Sequence, residues 1–348
     1  MKRCILVNRK TCSNIGDQAI NSSFSIFIEK KFGAEVKSID YTSRNNEPEP
    51  LNIAADYKRK VFRDTIKIFL PLNLIWIFRN FFRLKKEIKS FNPDVIIIGG
   101  GQLLLPNRFL VAALCWVLLS KYYNTPILFS NIGVGGKWSK VKSCILKFIL
   151  NNSNGVNLRD KESYEFVNDL IGFRDTTCLS SDIVLSDKIK RSQPDDNCNR
   201  YLLGVPSIDV YNVYNKSLSR ENYYNIWLKF IGNNNVNLEK CDLIYTTQED
   251  YNESLLLKEY LSEKYNINLN VLEYSGIDGF NRLLDFEVTV ISARMHALIL
   301  AINNNRSVIV FPISKKLRSF SKQIESTNSD VIEKAHATTY DFLKDYLL

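Results

Sequence analysis

Short apolar runs alternate with segments in which apolar residues recur at helical spacing, almost throughout the chain. A short apolar run is typical of a buried strand, and apolar residues three or four positions apart are typical of a helix with one packed side. We interpret the following runs as strands: Cys4–Val7, Val95–Ile98, Ile127–Phe129, Val156–Leu158, Tyr201–Val205, Leu243–Tyr245, Leu269–Leu272, Val288–Ile291 and Val308–Phe311. Helical spacing marks Gln18–Lys31, Arg108–Tyr123, Val141–Leu150, Asp160–Leu170, Glu221–Ile231, Tyr251–Lys264, Gly276–Leu284, Arg294–Asn304 and Lys316–Ile324. This alternation predicts an α/β fold with parallel sheets.

The polar stretch Ser186–Arg200 interrupts the alternation, contains a proline, and is followed directly by a new apolar run. We therefore place a domain boundary there. The chain has 348 residues, which is enough for two domains that each bury a core. We predict an N-terminal Rossmann-like domain over residues 1–190, a C-terminal one over 199–335 and a last helix over 336–348, with a cleft between two facing domains.

The segment Lys58–Lys89 does not fit the alternation, because it is basic at both ends, rich in Trp and Phe between them, and interrupted by Pro71. A basic amphipathic segment with aromatic residues can lie in a membrane interface. The same pattern is typical of helices that cover one face of a sheet. Both interpretations stay open, and the first predicts peripheral association with the inner face of the membrane.

The net charge of +9 and the pI near 9.0 favour acidic ligands such as phosphates. No motif of the common nucleic-acid-binding modules occurs, so we expect no nucleic-acid partner. The seven cysteines are scattered and form no CxxC pair, which argues against a disulfide framework and a zinc site. Without a signal-peptide pattern or an apolar run long enough to span a bilayer, the sequence predicts a cytoplasmic protein.

The strongest candidates for chemistry are Arg294 and His296. They follow the predicted strand Val288–Ile291 and precede an apolar helix. In open α/β sheets, ligands bind at this junction between a strand and a helix. Only one other histidine, His336, occurs in the chain.

Three glycine-containing segments follow predicted strands: Asn14–Ile20, Gly99–Gln102 and Gly133–Lys137. Glycine lets a ligand approach the backbone closely, and amide groups near a helix start attract anions. In the first segment, Asp17 either caps a helix or binds a substrate hydroxyl. Both interpretations of Asp17 stay open.

Further charged residues stand at predicted strand ends. Arg159 can hold a phosphate or carboxylate in a bidentate manner, or it can form an ion pair with a nearby acid. Asp160, which follows Arg159, is expected to start a helix. Lys316 follows the strand after the Arg294 helix, where it either binds a phosphate or is a solvated residue at a helix start.

These segments, in this order, resemble the polysaccharide pyruvyl transferase family. The matching pieces are NIGDQAI at Asn14–Ile20, DVIIIGGGQLLLP at Asp94–Pro106, NIGVGG at Asn131–Gly136, NLRDKES at Asn157–Ser163, SSDIVL at Ser180–Leu185 and ISARMHALILA at Ile291–Ala301. The resemblance implies a fold similar to the GT-B glycosyltransferases. It also implies pyruvyl transfer from phosphoenolpyruvate to a sugar, with a cyclic pyruvate ketal as the product, in the biosynthesis of a surface polysaccharide.

The resemblance also implies roles for individual residues. Arg159, Arg294 and His296 fall on positions tied to phosphoenolpyruvate binding and catalysis, and Lys316 aligns with a lysine that family members often carry. Histidine titrates near neutral pH, so His296 is our candidate acid/base group. From the glycine segments we add two sets of candidates: Gly100 and Gly101 for phosphoenolpyruvate, and Asn14, Asp17 and Gln102 for the acceptor.

Some positions depart from the family pattern. Ile183 follows Asp182 where the family often has proline, and Ile313-Ser314 stand where it often has Tyr-Asp.

We expect phosphoenolpyruvate as co-substrate, no other cofactor and no metal, and a nucleotide-linked or lipid-linked sugar as acceptor. Two other interpretations are a GT-B glycosyltransferase that uses a nucleotide sugar and a non-catalytic member that binds a glycan.

Overall fold

The computed structural model describes residues 1–10, 13–41, 72–185, 200–326 and 330–348. Contacts divide the chain into two compact units. Unit 1 comprises residues 1–12, 20–183 and 332–348, and unit 2 comprises residues 13–19 and 184–331. The predicted boundary over residues 186–199 and the 58–71 part of the basic aromatic segment lie outside the described residues. Within the described residues, no helix has both the length and the apolar character that crossing a bilayer requires.

The described elements alternate as the apolar pattern predicts. Strands β1 to β11 are Arg3–Asn8, Glu35–Asp40, Val95–Leu104, Ile127–Val134, Gly155–Leu158, Thr177–Leu179, Tyr201–Gly204, Cys241–Ile244, Asn270–Val271, Thr289–Ser292 and Ser307–Val310. Helices α1 to α12 are Ile15–Phe32, Leu72–Phe91, Arg108–Tyr122, Lys140–Asn151, Lys161–Ile171, Ile208–Tyr214, Arg220–Asn233, Gln248–Tyr265, Gly276–Leu283, Met295–Asn303, Lys315–Ser326 and Asp330–Leu347.

Unit 1 is built on a six-stranded parallel sheet in the order β2-β1-β3-β4-β5-β6. Its central strands are almost fully buried, as expected for a parallel sheet that has helices on both faces. Trp116 of α3 is completely buried within the core that α3 shares with these strands. Along the chain, the strand order reverses direction between β1 and β3.

Unit 2 is built on a five-stranded parallel sheet in the order β11-β10-β7-β8-β9. The first three strands of this unit proceed from β7 through β8 to β9, and the chain then returns to place β10 on the other side of β7. The strand order therefore reverses between β7 and β10. In open α/β sheets, ligands bind beyond the carboxyl ends of the strands at such a reversal.

The α/β prediction of two Rossmann-like domains with parallel sheets is confirmed by this topology. Strands β2 and β6, which the apolar pattern does not indicate, are the two edge strands of the unit 1 sheet. Strand β2, EVKSID, has only two apolar residues and stays partly exposed over its first four residues, as is typical of an edge strand. Strand β6 has only three residues, which is too short for a recognisable apolar run.

Candidate active site

Arg294 lies at the strand reversal of unit 2. Strand β10 ends at Ser292, and α10 begins at Met295, so Arg294 occupies the turn between them as the sequence predicts. The Ser292 hydroxyl donates a hydrogen bond of 2.9 Å to the carbonyl of Gly204, the last residue of the neighbouring strand β7. The Arg294 turn is thereby fixed beside the end of β7, where an open sheet binds its ligand.

The Arg294 guanidinium is held in a fixed plane by a buried carboxylate. Its Nε donates to Asp250 Oδ2 over 2.9 Å, and its Nη2 donates to Asp250 Oδ1 over 2.5 Å. Asp250 is only 1% exposed and also accepts hydrogen bonds from the Ser207 amide and the Thr246 hydroxyl, at 3.1 and 3.0 Å. The bidentate pairing leaves the guanidinium little rotational freedom.

Asp250 is a site residue that the apolar pattern does not mark. One local signal does exist, because Thr247 and Asp250 have the spacing of a helix capping box. The Thr247 hydroxyl indeed accepts from the Asp250 amide over 3.3 Å, at the start of α8. The Asp250 carboxylate, however, binds Arg294, a residue 44 positions away, which only the strand order brings close.

His296 is the second residue of α10, and its ring lies against the backbone of Gly16. A Cβ atom at Gly16 would lie 2.3 Å from Nδ1 and 2.7 Å from Cγ of His296. Real Cβ atoms essentially never approach another heavy atom this closely. Gly16 is therefore the residue that gives the imidazole ring its space, and this contact brings two of the family-like segments together within unit 2.

The first turn of α1 is tied to the carboxyl edge of the unit 2 sheet. The Ile15 amide donates to the carbonyl of Thr246, which follows β8, over 3.0 Å. The Ile277 amide at the start of α9 donates to Gln18 Oε1 over 3.1 Å. Residues 13–19 consequently belong to unit 2, although the strand before them belongs to unit 1.

Of the two interpretations of Asp17 that the sequence leaves open, the one in which it precedes and caps this helix is wrong. Helix α1 begins at Ile15, and Asp17 lies inside its first turn. The side chain that accepts from the helix start is Asn14, whose Oδ1 binds the Gly16 amide over 2.8 Å. The predicted contacts of Asn14 and Asp17 with an acceptor stay predictions, as does the role of Lys316, which lies half-buried in the first turn of α11.

Arg159 follows β5 in unit 1 and is buried. Its Nη1 donates to Asp182 Oδ2 over 2.9 Å, and both side chains are less than a tenth exposed. A Cβ atom at Gly133 would lie 2.9 Å from Arg159 Nε, so this glycine near the end of β4 leaves room for the guanidinium. Asp160 starts α5 as predicted, because its carboxylate accepts from the Ser163 amide over 2.8 Å. The structure thus forms the ion pair that was the alternative interpretation of Arg159, while phosphoenolpyruvate binding by Arg159 stays a prediction.

We expect Arg159→Ala to lower the free energy of unfolding by about 3 kcal/mol, because the buried Asp182 carboxylate would lose its cation. Chemical denaturation of the full chain measures this loss. Adding Asp182→Asn should restore part of the stability, since no unpaired carboxylate would remain. If Arg159 also binds phosphoenolpyruvate, Arg159→Ala should raise KM for phosphoenolpyruvate more than KM for the acceptor. Equal increases would assign Arg159 to the ion pair alone.

The prediction that Gly99–Gly101 form a loop near a helix start is wrong. These glycines are buried inside β3, and α3 begins only at Arg108. Helix α1 packs closely on them: a Cβ atom at Gly100 would lie 2.1 Å from Cγ2 of Ile20, and Gly100 has φ +73°, which L-residues rarely adopt. This packing accounts for the glycines, and ligand binding by Gly100 and Gly101 stays a prediction.

Gln102 follows these glycines within β3 and has an exposed side chain. Its Nε2 donates a hydrogen bond to the carbonyl of Val134, the last residue of β4, over 2.9 Å. The side chain therefore braces the ends of two neighbouring strands. Acceptor binding by Gln102 stays a prediction.

Comparison with solved structures gives matches over nearly the whole chain at low identity. The UDP-GlcNAc 2-epimerase from Methanocaldococcus jannaschii is 10% identical, with 99% of this chain and 100% of that chain covered and a TM-score of 0.49. The UDP-N-acetylglucosamine 2-epimerase from Rickettsia bellii is 13% identical, with coverages of 100% and 97% and a TM-score of 0.49. A glycosyltransferase from Rickettsia africae is 11% identical, with coverages of 99% and 94% and a TM-score of 0.47.

Comparison with curated protein sequences gives no match. The model of the polysaccharide pyruvyl transferase family matches residues 14–315. The matched range begins at Asn14 and contains Arg159, Arg294 and His296, while Lys316 follows it directly. Because the match covers most of the 348 residues, this chain belongs to the polysaccharide pyruvyl transferase family.

Proposed function

We propose that this protein transfers a pyruvyl group from phosphoenolpyruvate to two hydroxyls of a sugar and forms a cyclic ketal. The observation that carries the proposal is the placement of Arg294 and His296, two residues apart, at the strand reversal of unit 2. An anchored cation and an acid/base group at one point match what this chemistry needs. Membership of the family supports the same reaction.

Phosphoenolpyruvate carries a carboxylate and a phosphate, and Arg294 is suited to bind one of them. Arg294 donates hydrogen bonds from Nε and Nη2 to Asp250, and the Arg294 side chain is still 23% exposed. We propose Nη1 as the donor to the ligand anion. A guanidinium whose plane is already fixed loses little entropy when it binds the anion.

His296 is the proposed acid/base group. Addition of a proton to the methylene carbon of phosphoenolpyruvate makes the adjacent carbon electrophilic, and a sugar hydroxyl adds to it with loss of its proton. The bond from this carbon to the phosphate oxygen then breaks, phosphate leaves, and the second hydroxyl closes the ketal with loss of a proton. Of the protons that the two hydroxyls release, one replaces the proton added to the methyl carbon, and the other accompanies the phosphate.

The start of α1 is the proposed binding place for the acceptor. Gly16 lies against the ring of His296, and Asn14 and Asp17 flank this glycine in the chain. Carboxylate and amide groups recognise sugar hydroxyls by hydrogen bonds. We propose a nucleotide-linked or lipid-linked sugar as the acceptor class, since both carry the diols that a ketal requires.

The experiment that tests the proposal is phosphate release from phosphoenolpyruvate in the presence of a panel of nucleotide-linked and lipid-linked sugars. We expect release that depends on one acceptor and yields a product heavier by one pyruvyl group, as mass spectrometry would show. Release of a nucleotide from a nucleotide sugar, without any use of phosphoenolpyruvate, would overturn the proposal in favour of glycosyl transfer.

Asp250 is a positioning residue in this scheme. We expect Asp250→Asn to lower kcat/KM for phosphoenolpyruvate by about ten- to a hundredfold, because an amide cannot accept both guanidinium hydrogen bonds and Arg294 would turn away. Steady-state kinetics with phosphoenolpyruvate and the acceptor varied separately measures the effect. The loss should appear for phosphoenolpyruvate and be weaker for the acceptor.

Asp242→Asn is the matched control for Asp250→Asn. Asp242 is also a buried aspartate of unit 2 that pairs with an arginine, since Arg200 Nε lies 2.7 Å from its Oδ2. Both substitutions should destabilise unit 2, but Asp242→Asn should leave kcat/KM for phosphoenolpyruvate nearly unchanged. Equal kinetic losses in the two variants would reduce Asp250 to a merely structural residue.

A further inference from the structure

The positive charge of this chain is concentrated in one stretch of unit 1. Residues 72–151, which contain helices α2, α3 and α4, hold eleven Lys or Arg residues and two acidic residues, Glu87 and Asp94. The excess in this stretch equals the net charge of +9 of the entire chain, so the remaining residues balance. A charge so localised acts on partners through its local field, which the whole-chain average understates.

Both acidic residues of this stretch bind groups outside it. Glu87 Oε2 lies 2.8 Å from Nζ of Lys37 on β2, and Asp94 Oδ2 accepts from the backbone amide of Arg3 over 2.7 Å. Both carboxylates therefore interact with groups of β1 and β2. The lysines of α2, α3 and α4 are not neutralised by the acids of their own stretch.

Helices α2, α3 and α4 lie side by side against the same sheet. Lys85 of α2 places its ammonium 5.0 Å from the centre of the Tyr122 ring at the end of α3. Lys121, which precedes Tyr122 on α3, donates a hydrogen bond to the side chain of Asn152 at the end of α4. These contacts connect the second half of α2 with the carboxyl-terminal ends of α3 and α4, so the three helices form one surface.

Large apolar side chains stand exposed between the lysines of this surface. Phe82 is 60% exposed on α2, Leu118 and Tyr122 are 45% and 67% exposed on α3, and Phe148 is 46% exposed on α4. Lys86 and Lys147 are exposed on the same helices. We call this surface the basic face and define it by Phe82, Lys86, Leu118, Tyr122, Lys147 and Phe148.

We infer that the basic face docks the protein onto an anionic lipid bilayer. Lysines near a membrane gain favourable energy from acidic headgroups, and aromatic and aliphatic side chains between them enter the boundary between headgroups and acyl chains. Exposed Leu118 favours a bilayer over a nucleic acid, because an aliphatic side chain gains nothing from a phosphate backbone. The inference concerns a surface of unit 1 and is independent of the proposed reaction.

The neighbouring helix α5 marks where this surface ends. It packs beside α4 and carries Glu162, Glu165 and Asp169, with the Glu165 side chain 61% exposed. Acidic residues at an anionic membrane are unfavourable because like charges repel. The docked face therefore consists of α2, α3 and α4 and does not extend over α5.

The test is co-sedimentation of the full chain with vesicles. One set of vesicles contains phosphatidylcholine alone, and the other contains phosphatidylcholine mixed with phosphatidylglycerol. We expect binding to the anionic vesicles that weakens as salt is raised, because mobile ions screen the lysines. Absence of binding to anionic vesicles, or equal binding to both sets, would overturn the inference.

Variants then locate the binding surface. We expect Lys86→Glu with Lys147→Glu to lower the partition coefficient onto anionic vesicles by about tenfold or more, and Phe82→Ser with Phe148→Ser to lower it by a similar factor. The matched control is Lys30→Glu with Lys31→Glu at the exposed end of α1, which changes the net charge equally outside the basic face. An equal loss in this control would mean that net charge alone drives binding, and the face would be wrongly assigned.

Duplex DNA serves as the competing ligand. Circular dichroism of each variant should match that of the unchanged protein, since all the exchanged side chains are exposed. Binding to duplex DNA that the charge-reversal pair abolishes, together with no binding to anionic vesicles, would overturn the inference in favour of a nucleic-acid surface.

Discussion

His296→Ala is expected to lower acceptor-dependent phosphate release from phosphoenolpyruvate by about a hundredfold or more, because it removes the proposed acid/base group. The ring lies at the start of α10 against Gly16, so its loss removes little buried core. The thermal midpoint of unfolding should therefore change little. Initial rates of phosphate release at saturating phosphoenolpyruvate and acceptor give kcat directly.

His336→Ala is the matched control, since His336 is the only other histidine in the chain. Its ring packs edge-on against Phe27 of α1 in unit 1, at 5.7 Å between ring centres. We expect this variant to retain turnover. A His296→Ala protein that keeps near-normal kcat would refute the acid/base role of His296.

Gly16→Ala is expected to lower kcat by about tenfold or more with KM affected less, because a Cβ atom 2.3 Å from Nδ1 must push the His296 ring out of position. The collision is with the ring and Cγ, so no small movement at a flexible end relieves it. The crowding should also lower the free energy of unfolding by about 1–3 kcal/mol. Steady-state kinetics and thermal unfolding measure the two effects.

Gly232→Ala is the matched control for Gly16→Ala. It tests whether the loss of activity requires the crowded position beside His296 or follows from any glycine-to-alanine substitution. Gly232 lies in α7, and a Cβ atom there would meet no heavy atom within 4 Å outside its neighbours and its own helix backbone. Alanine is favoured over glycine in a helix by up to about 1 kcal/mol, so this variant should be equally or slightly more stable and fully active.

The double variant Gly16→Ala/His296→Ala shows whether Gly16→Ala lowers turnover by displacing the His296 ring or in another way. If Gly16→Ala acts by displacing His296, the Gly16→Ala and His296→Ala losses should not add, and the double variant should turn over as slowly as His296→Ala alone. Additive losses would show that Gly16 acts on another part of the site.

The local pattern predicts the position of Arg294 well, because a buried strand followed by an apolar helix forces a turn between them. It does not predict the partner of Arg294. The same alternation of strands and helices is compatible with several strand orders. The observed order, β11-β10-β7-β8-β9, places the start of α8, and with it Asp250, near the end of β10. The capping-box spacing of Thr247 and Asp250 predicts a helix start, but it does not predict which residue the Asp250 carboxylate binds.

For the glycines too, the sequence predicts the position but not the residue that contacts it. The sequence marks Gly16 and Gly99–Gly101 as places of close approach, yet it cannot say what approaches. In the structure His296 lies against Gly16, while Ile20 of α1 packs against Gly100. A neighbouring imidazole ring and a neighbouring aliphatic side chain cannot be told apart from a single sequence, because both require only a glycine, whose Cβ atom is absent.

Taken by itself, the sequence determined the α/β class, the strand and helix positions along most of the described chain, and the placement of Arg294 and His296 between a strand and a helix. These follow from the local periodicity of burial and from residue chemistry, which a sequence displays directly. Tertiary structure alone decided that residues 13–19 join unit 2, that Asp250 orients Arg294, that Asp182 pairs with Arg159, and that the lysines of α2, α3 and α4 form one surface. Each of these depends on which distant segments become neighbours, and strand order and helix packing fix that.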